Sequence, residues 1–154
     1  MKQKRPTEHA SGRPLTKAER KMLASYDNLQ LWINRTLILA VRLKTREIHY
    51  LRGKDGLTVQ FREGARVIEA QGPYRRYQDR AIPRLQKMGE QGLPKRYKGQ
   101  TGGFFTVVDN REWNTPVFYS RTKSGERMVV RFISSKPWTG LQAPRPRREA
   151  SPRP

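Results

Sequence analysis

Between residues 22 and 40 apolar side chains recur at steps of three or four, at Met22, Tyr26, Leu29, Ile33, Leu37 and Ala40, which lays one stripe along a helix. Lys17, Arg20, Lys21, Asn28 and Arg35 fall off it. Thr16 with Glu19 three residues on matches a capping box, so the helix is predicted to run from 17 to about 40, ending between 34 and 44. The run Thr36 to Val41 reads equally well as a buried strand, because a short apolar run has no decisive period. From Arg46 the period changes to two: Ile48 and Tyr50, then Lys54-Asp55-Gly56, then Leu57, Val59 and Phe61, then Gly64 and Val67. Asp-Gly between alternating runs is a hairpin signal, and two or three antiparallel strands are predicted between 46 and 69. Pro73 closes that unit. Residues 74–92 are polar and helical in pattern, with Pro83 placed at the first turn of a short helix anchored by Leu85 and Met88. After Gly99 to Gly103, strands are predicted at 104–108, 116–120 and 128–133, joined by loops 109–115 and 123–125 into a three-stranded meander.

The pattern defines an α+β fold: an N-terminal helix packed on a strongly curved, mostly antiparallel sheet, with two β units and a short helix between them. Of 154 residues only 34% are hydrophobic, too few for the whole length to offset its ordering entropy. Residues 1–15 and 139–154, the latter rich in Pro-Arg pairs, are therefore expected to be basic disordered arms flanking one domain over 16–138. The chain has no cysteine and two histidines, His9 and His49, so disulfides, thiolate chemistry and zinc fingers are excluded, and no metal or cofactor is predicted. The longest apolar stretch is far below the ~20 residues of a membrane span. Without a signal-type apolar segment, a soluble, cytoplasmic and non-secreted protein is expected.

Charge narrows the function. Lys+Arg number 33 against 13 Asp+Glu, a formal net charge of +20, which points to a polyanionic partner, nucleic acid before an anionic membrane. The densest basic stretch is Arg75, Arg76, Arg80, Arg84, Lys87, Lys95, Arg96 and Lys98, with Tyr74, Tyr77 and Tyr97 among them. Arginine forks grip phosphate oxygens in pairs, and tyrosine rings stack on bases, so this interleaving suits a single-stranded ligand. The glycine-rich loop 89–103 lacks the order of a nucleotide-binding loop. Trp113 stands in the polar run Asp109 to Pro116, where an exposed indole would stack or dock; Trp32 is expected to pack, and Trp138 to fold back on the core. On the strands Arg52, Arg62, Arg66, Arg121, Arg127 and Arg131 alternate with Phe61, Phe105, Phe118, Tyr119 and Phe132. A basic sheet face with one or two exposed aromatics would be an oligonucleotide surface, although alternating aromatics more often face the core.

These features predict a non-catalytic nucleic-acid-binding protein, a ribonucleoprotein component or a viral or plasmid-encoded binder. Phosphates would be neutralised by the arms and the 75–98 segment, with stacking on Tyr77, Tyr97 and Trp113. RNA is favoured over DNA because no groove-reading helix stands out and basic tails suit insertion between RNA helices. Self-association or an assembly partner is compatible with an open sheet edge. The alternative from another class is a metal-dependent nuclease using Asp109, Glu112 and Glu126, although none of these is followed at the second position by the lysine of a restriction-type core. His49 and Glu47, two apart on one strand, read as an ordinary pair. The runs Leu37 to Leu43, Thr45 to Ile48 and Thr58 to Ile68 resemble a ribbon-helix-helix pattern over about a fifth of the chain. That resemblance implies a DNA-binding dimer, and departs from the family at Gly53, Asp55 and Gly56, which favour a turn.

Overall fold

The computed structural model describes residues 14–24, 28–91 and 93–138. The expected arms lie outside the described residues, save Pro14 and Leu15 at one end; Leu15 is buried with the core, so the folded part begins before 16. Two helices, α1 (Lys17–Ala24) and α2 (Leu29–Arg42), precede strands β1 (Glu47–Gly53), β2 (Gly56–Glu63) and β3 (Arg66–Gln71). Helix α3 (Arg75–Met88) follows, then β4 (Gly102–Val108), β5 (Arg111–Thr122), β6 (Gly125–Arg131) and β7 (Ser134–Pro137).

The capping box forms as the sequence requires: the Glu19 amide donates to Thr16 Oγ1 at 3.1 Å and the Thr16 amide to Glu19 Oε1 at 2.8 Å. The single helix expected over 17–40 is two. Asn28 is extended (φ −154°, ψ 169°) and its Oδ1 accepts the Leu31 amide at 2.9 Å, so it caps a new helix. Tyr26 of the expected stripe lies outside the described residues. Helix α2 runs to Arg42, which settles Thr36 to Val41 as helix, and ends in paired bonds from Thr45 to the Ala40 carbonyl and from Lys44 to that of Val41. This Schellman arrangement puts Lys44, at φ 61°, in the left-handed position that glycine usually takes.

All strands belong to one open antiparallel sheet of order β3-β2-β1-β6-β5-β4, with β7 also on β5. Thr58 to Ile68, part of the ribbon-helix-helix likeness, is the β2–β3 hairpin, so no second helix exists there. The loop expected at 109–115 shrinks to Asp109 and Asn110, both at positive φ (52° and 64°), the signature of a two-residue primed hairpin turn. Strand β5 starts at Arg111 and is twelve residues long. It pairs Val117 with Val130 of β6 and Asn114 with Ser134 of β7, so three steps on β5 face four on its neighbour. That one-residue bulge at Phe132 and Ile133 lets the chain follow β5 to its start.

One sheet face carries Ile48, Tyr50, Val59, Phe61, Phe104, Val117, Met128 and Val130, all buried, and meets α2 and α3. Trp32 of α2 stands edge-on to Tyr50 at 6.0 Å. Thr36 Oγ1 donates to the Ile33 carbonyl, which commits its only proton, so the Tyr50 hydroxyl, 2.6 Å away, is the donor in their contact. Helix α3 packs through Ala81, Ile82 and Leu85, with Met88 partly buried. Pro83 lies well inside this helix instead of opening it. Pro83 and Asp79, whose carbonyl loses its helical donor to the proline, are both on the exposed side of the helix.

Candidate nucleic-acid interface

Because side chains alternate across a strand, the second face of the sheet carries the opposite parity: Phe105 and Val107 on β4, Asn114, Pro116 and Phe118 on β5, Val129 and Arg131 on β6, Glu47 and His49 on β1, and Arg62 on β2. No helix covers it. Phe105 is 53% exposed, whereas its chain neighbour Phe104, on the helix face, is 1% exposed.

The basic segment of 75–98 is divided by the sheet. On α3 the residues Arg76, Arg80, Arg84 and Lys87 follow one another at helical steps of four, four and three and are exposed along the outside of the helix layer, with Arg75 beside them. The Arg76 guanidinium lies over the Tyr77 ring at 5.0 Å and the Tyr74 ring at 5.8 Å. Arg52 holds the first turns of α3 to the sheet through Asp79 at 2.6 Å.

Past α3 the chain rounds the β4 edge. Glu90 bridges to Gly103, a Cβ at Gly102 would lie 2.6 Å from the Gly89 carbonyl oxygen, and one at Gly103 would run into Leu93. Lys95, Arg96, Tyr97 and Lys98 are all exposed, and Arg96 and Tyr97 stand against Phe105, Asn114 and Pro116 of the uncovered face. This loop is pinned: Gln100, 8% exposed, accepts the amides of Arg96 (2.8 Å) and Tyr97 (3.2 Å) and donates to the carbonyls of Pro94 (3.1 Å) and Gly102 (2.9 Å). Between the loop and β4–β5 is an open hollow of about 140 Å³, lined by Leu93, Pro94, Arg96, Tyr97, Gln100, Phe105, Asn114 and Pro116. Pockets for drug-sized molecules run to roughly 300–1,000 Å³, so this one has room for a single ring system.

Alongside the hollow, the Arg131 guanidinium covers the Phe118 ring at 4.4 Å and bonds Glu47 Oε2 at 3.0 Å. Glu47 Oε1 meets His49 Nε2 at 2.8 Å. Burial, reinforced by Arg62 and Arg127, pulls the His49 pKa below its usual 6.5 despite the pull of Glu47 the other way. The contact is thus a neutral imidazole N–H donating to a carboxylate, which assigns the proton to Nε2 and leaves the buried Nδ1 lone pair without a partner. Burial pushes the Glu47 carboxyl up, but the bonds from His49 and Arg131 outweigh it and hold it below the ordinary carboxylate range.

Trp113 is not in a loop. It sits half-buried on β5, on the same side as Thr115 and Val117, edge-on to Phe132 at 5.9 Å, and so on the other face of the sheet from Tyr97. Tyr77, on the helix layer, is also apart from Tyr97. The sequence-derived stacking trio does not converge; Tyr97 is joined instead by Phe105. Strand alternation marked Phe105 for the side opposite Phe104 without saying which side was open.

The carboxylates of the nuclease alternative are dispersed. Asp109, in the β4–β5 turn, accepts Arg42 at 2.9 and 3.2 Å, while Glu126 begins β6 at the other end of β5, where it takes the Tyr119 hydroxyl at 2.5 Å and Arg121 at 3.3 Å. Glu112 is half-buried near the first of these ends. Among the described residues no three His, Asp or Glu side chains are grouped to hold a metal ion, and no helix is long and apolar enough to cross a membrane. No protein-family model matches the chain, and no curated protein is significantly similar to it.

Proposed function

We propose that this protein binds single-stranded nucleic acid, RNA in preference to DNA, without chemically altering it, and that the uncovered sheet face is where the bases lie. The observation that carries this reading is Phe105: an aromatic ring more than half exposed, on a sheet face that no described helix covers, beside Tyr97 and Arg96. Every base has a π face, so aromatic rings hold single strands whatever their sequence, and Arg96 with Lys98 nearby in the chain supplies counter-charge to the backbone. The net charge of +20 adds long-range attraction that releases counterions from phosphates. The exposed arginines of α3 form a second cationic surface on the other side of the sheet, where a long RNA could continue around the β4 edge. The basic arms, 1–15 and 139–154, supply further phosphate contacts in this reading.

The test is binding of the purified, nuclease-treated chain to single-stranded RNA, single-stranded DNA and duplex DNA over a salt series, with Mg²⁺ present and product length checked. Tight binding to single strands with a steep salt slope and intact product is the expected result. Cleavage abolished by EDTA would replace this reading with the nuclease, and weak binding to every polymer at low salt would direct the search to acidic protein partners.

A further inference from the structure

Strand β4 ends the sheet, and among the described residues the one pairing on its outer side is the bridge of Glu90 to Gly103. Its free backbone groups follow from the turn. A two-residue hairpin closes on a hydrogen-bonded pair, here Val108 with Arg111, so by alternation Phe104 and Thr106 also exchange bonds with β5 while Gly103, Phe105 and Val107 aim amide and carbonyl outward. The Gly103 amide bears this out, since it donates to the Gly89 carbonyl at 2.9 Å. Nothing among the described residues meets the amides and carbonyls of Phe105 and Val107. Sheet edges are ordinarily blunted by charge. The other outer strand, β3, carries Arg66 and Glu69, but β4 has no charged residue, alone among the strands, and residues 99–108 have none in a chain of net charge +20. Phe105 and Val107 are also the two large apolar side chains that strands leave exposed, and both stand on the uncovered face.

We infer that β4 pairs antiparallel with β4 of a second copy of this chain, about a two-fold axis at Thr106. One register serves every free group: Phe105 opposite Val107 of the second copy, and Val107 opposite its Phe105. Setting Phe105 against Phe105 would instead bring Val107 to Gly103, whose amide is already taken. The pairing also ends where it must, because the position opposite Gly103, which Glu90 covers, is Asp109, where the chain has turned toward β5. Charge selects the occupant. Two chains of +20 repel over most of their surface and can meet only where charge is missing, whereas an acidic partner would be held by the basic segments. The pairing is short beside interfaces of ~1,200–2,000 Å², so the dimer is weak and reversible. It joins two uncovered faces into one, and does not depend on what that face binds.

Sedimentation of the nuclease-treated full chain over a range of protein concentrations, at low and high salt, reads the association. The expected result is a monomer–dimer equilibrium that tightens as salt screens the repulsion, the reverse of the salt dependence of nucleic-acid binding. Amide exchange reads the register: protection of Phe105 and Val107 rises with protein concentration, whereas Thr106, already bonded to β5, is protected throughout. Val107→Lys, at an exposed position, should weaken the dimer roughly 2- to 30-fold through the loss of the two ring-to-valine contacts alone. Glu69→Lys on β3 raises the net charge by more and should leave the dimer in place at high salt. A monomer at every concentration in high salt overturns the inference, whatever the chain binds. So does a dimer that Val107→Lys leaves unweakened, or one in which the Phe105 and Val107 amides stay unprotected, since another surface would then hold the copies.

Discussion

Phe104 and Phe105 are neighbours in the chain with opposite surroundings, and truncating each in turn separates folding from binding. Phe104 is 1% exposed in the core, so Phe104→Ala should destabilise by about 3–5 kcal/mol, the usual loss for a buried phenylalanine. Phe105 is 53% exposed, and with half its surface already in water Phe105→Ala should cost about 1–2 kcal/mol at most. Binding runs the other way. One base stacked on an aromatic ring is worth about 1–3 kcal/mol, so Phe105→Ala should weaken single-stranded RNA binding by roughly 5- to 150-fold. Its salt slope should match the wild type, because each phosphate contact contributes about 0.7 to that slope and this ring makes none. Urea denaturation followed by tryptophan fluorescence gives the first pair of numbers, and anisotropy titrations at several salt concentrations give the second. Wild-type RNA affinity in Phe105→Ala would refute the placement of the bases. A core-sized loss of stability in the same variant would refute the claim that this sheet face is uncovered.

The Tyr50 hydroxyl is the donor in its bond to Thr36, so Thr36→Val strands a buried donor and should cost about 2–3 kcal/mol. Tyr50→Phe removes that donor cleanly, at about 0.5–1.5 kcal/mol, and the double variant should be less destabilised than the sum; additive losses in urea titrations would contradict the bond. Lys44→Gly at φ 61° should raise stability by about 0.5–1 kcal/mol in the same assay. Burial lowers the folded pKa of His49, so the unfolded chain binds the proton more readily; stability is full above pH 6.5 and falls as the pH drops from there toward the folded value. Glu47 and Glu126 are also lowered, and their contribution is present above about pH 4.5 and lost on further acidification. Denaturant midpoints from pH 8 down to 3 should show both declines, with His49→Leu removing the first; a variant curve that parallels the wild type would count against it.

Local rules served the sequence reading best where a few neighbouring residues decide the backbone. Thr16 and Glu19 capped α1 as their spacing demands, and the first hairpin turns at Lys54-Asp55 with Gly56, at φ 115°, opening β2. The break before Asn28 was hidden because the apolar positions 22, 26 and 29 keep helical spacing across it, so the stripe reads as continuous; the visible clue was the Asp27-Asn28 pair, a capping signal in its own right. The first half of β5 was hidden for a related reason. Arg111, Glu112 and Asn114 share a strand with partly covered positions and one uncovered face, which dilutes the alternation, and Asp109-Asn110 turns a hairpin without glycine. Strand β7, Ser-Ser-Lys-Pro, has no strand pattern at all; the bulge and the backbone of β5 place it. The basic segment read as one surface in sequence and is two in space, because the passage around the β4 edge depends on close contacts of Gly89, Gly102 and Gly103, which carry no charge of their own.

Gln100 ties the 94–102 loop only through backbone atoms of Pro94, Arg96, Tyr97 and Gly102. One side chain that is not itself at the surface therefore does much to set the path of the loop, and no bond of Gln100 is made to a side chain at 95 to 98. Those four positions can change identity while the backbone that presents them stays put. Ligand preference on this face is thus a property that substitution at 95 to 98 could retune one residue at a time, while Gln100 and the glycines at 99, 102 and 103 stay fixed.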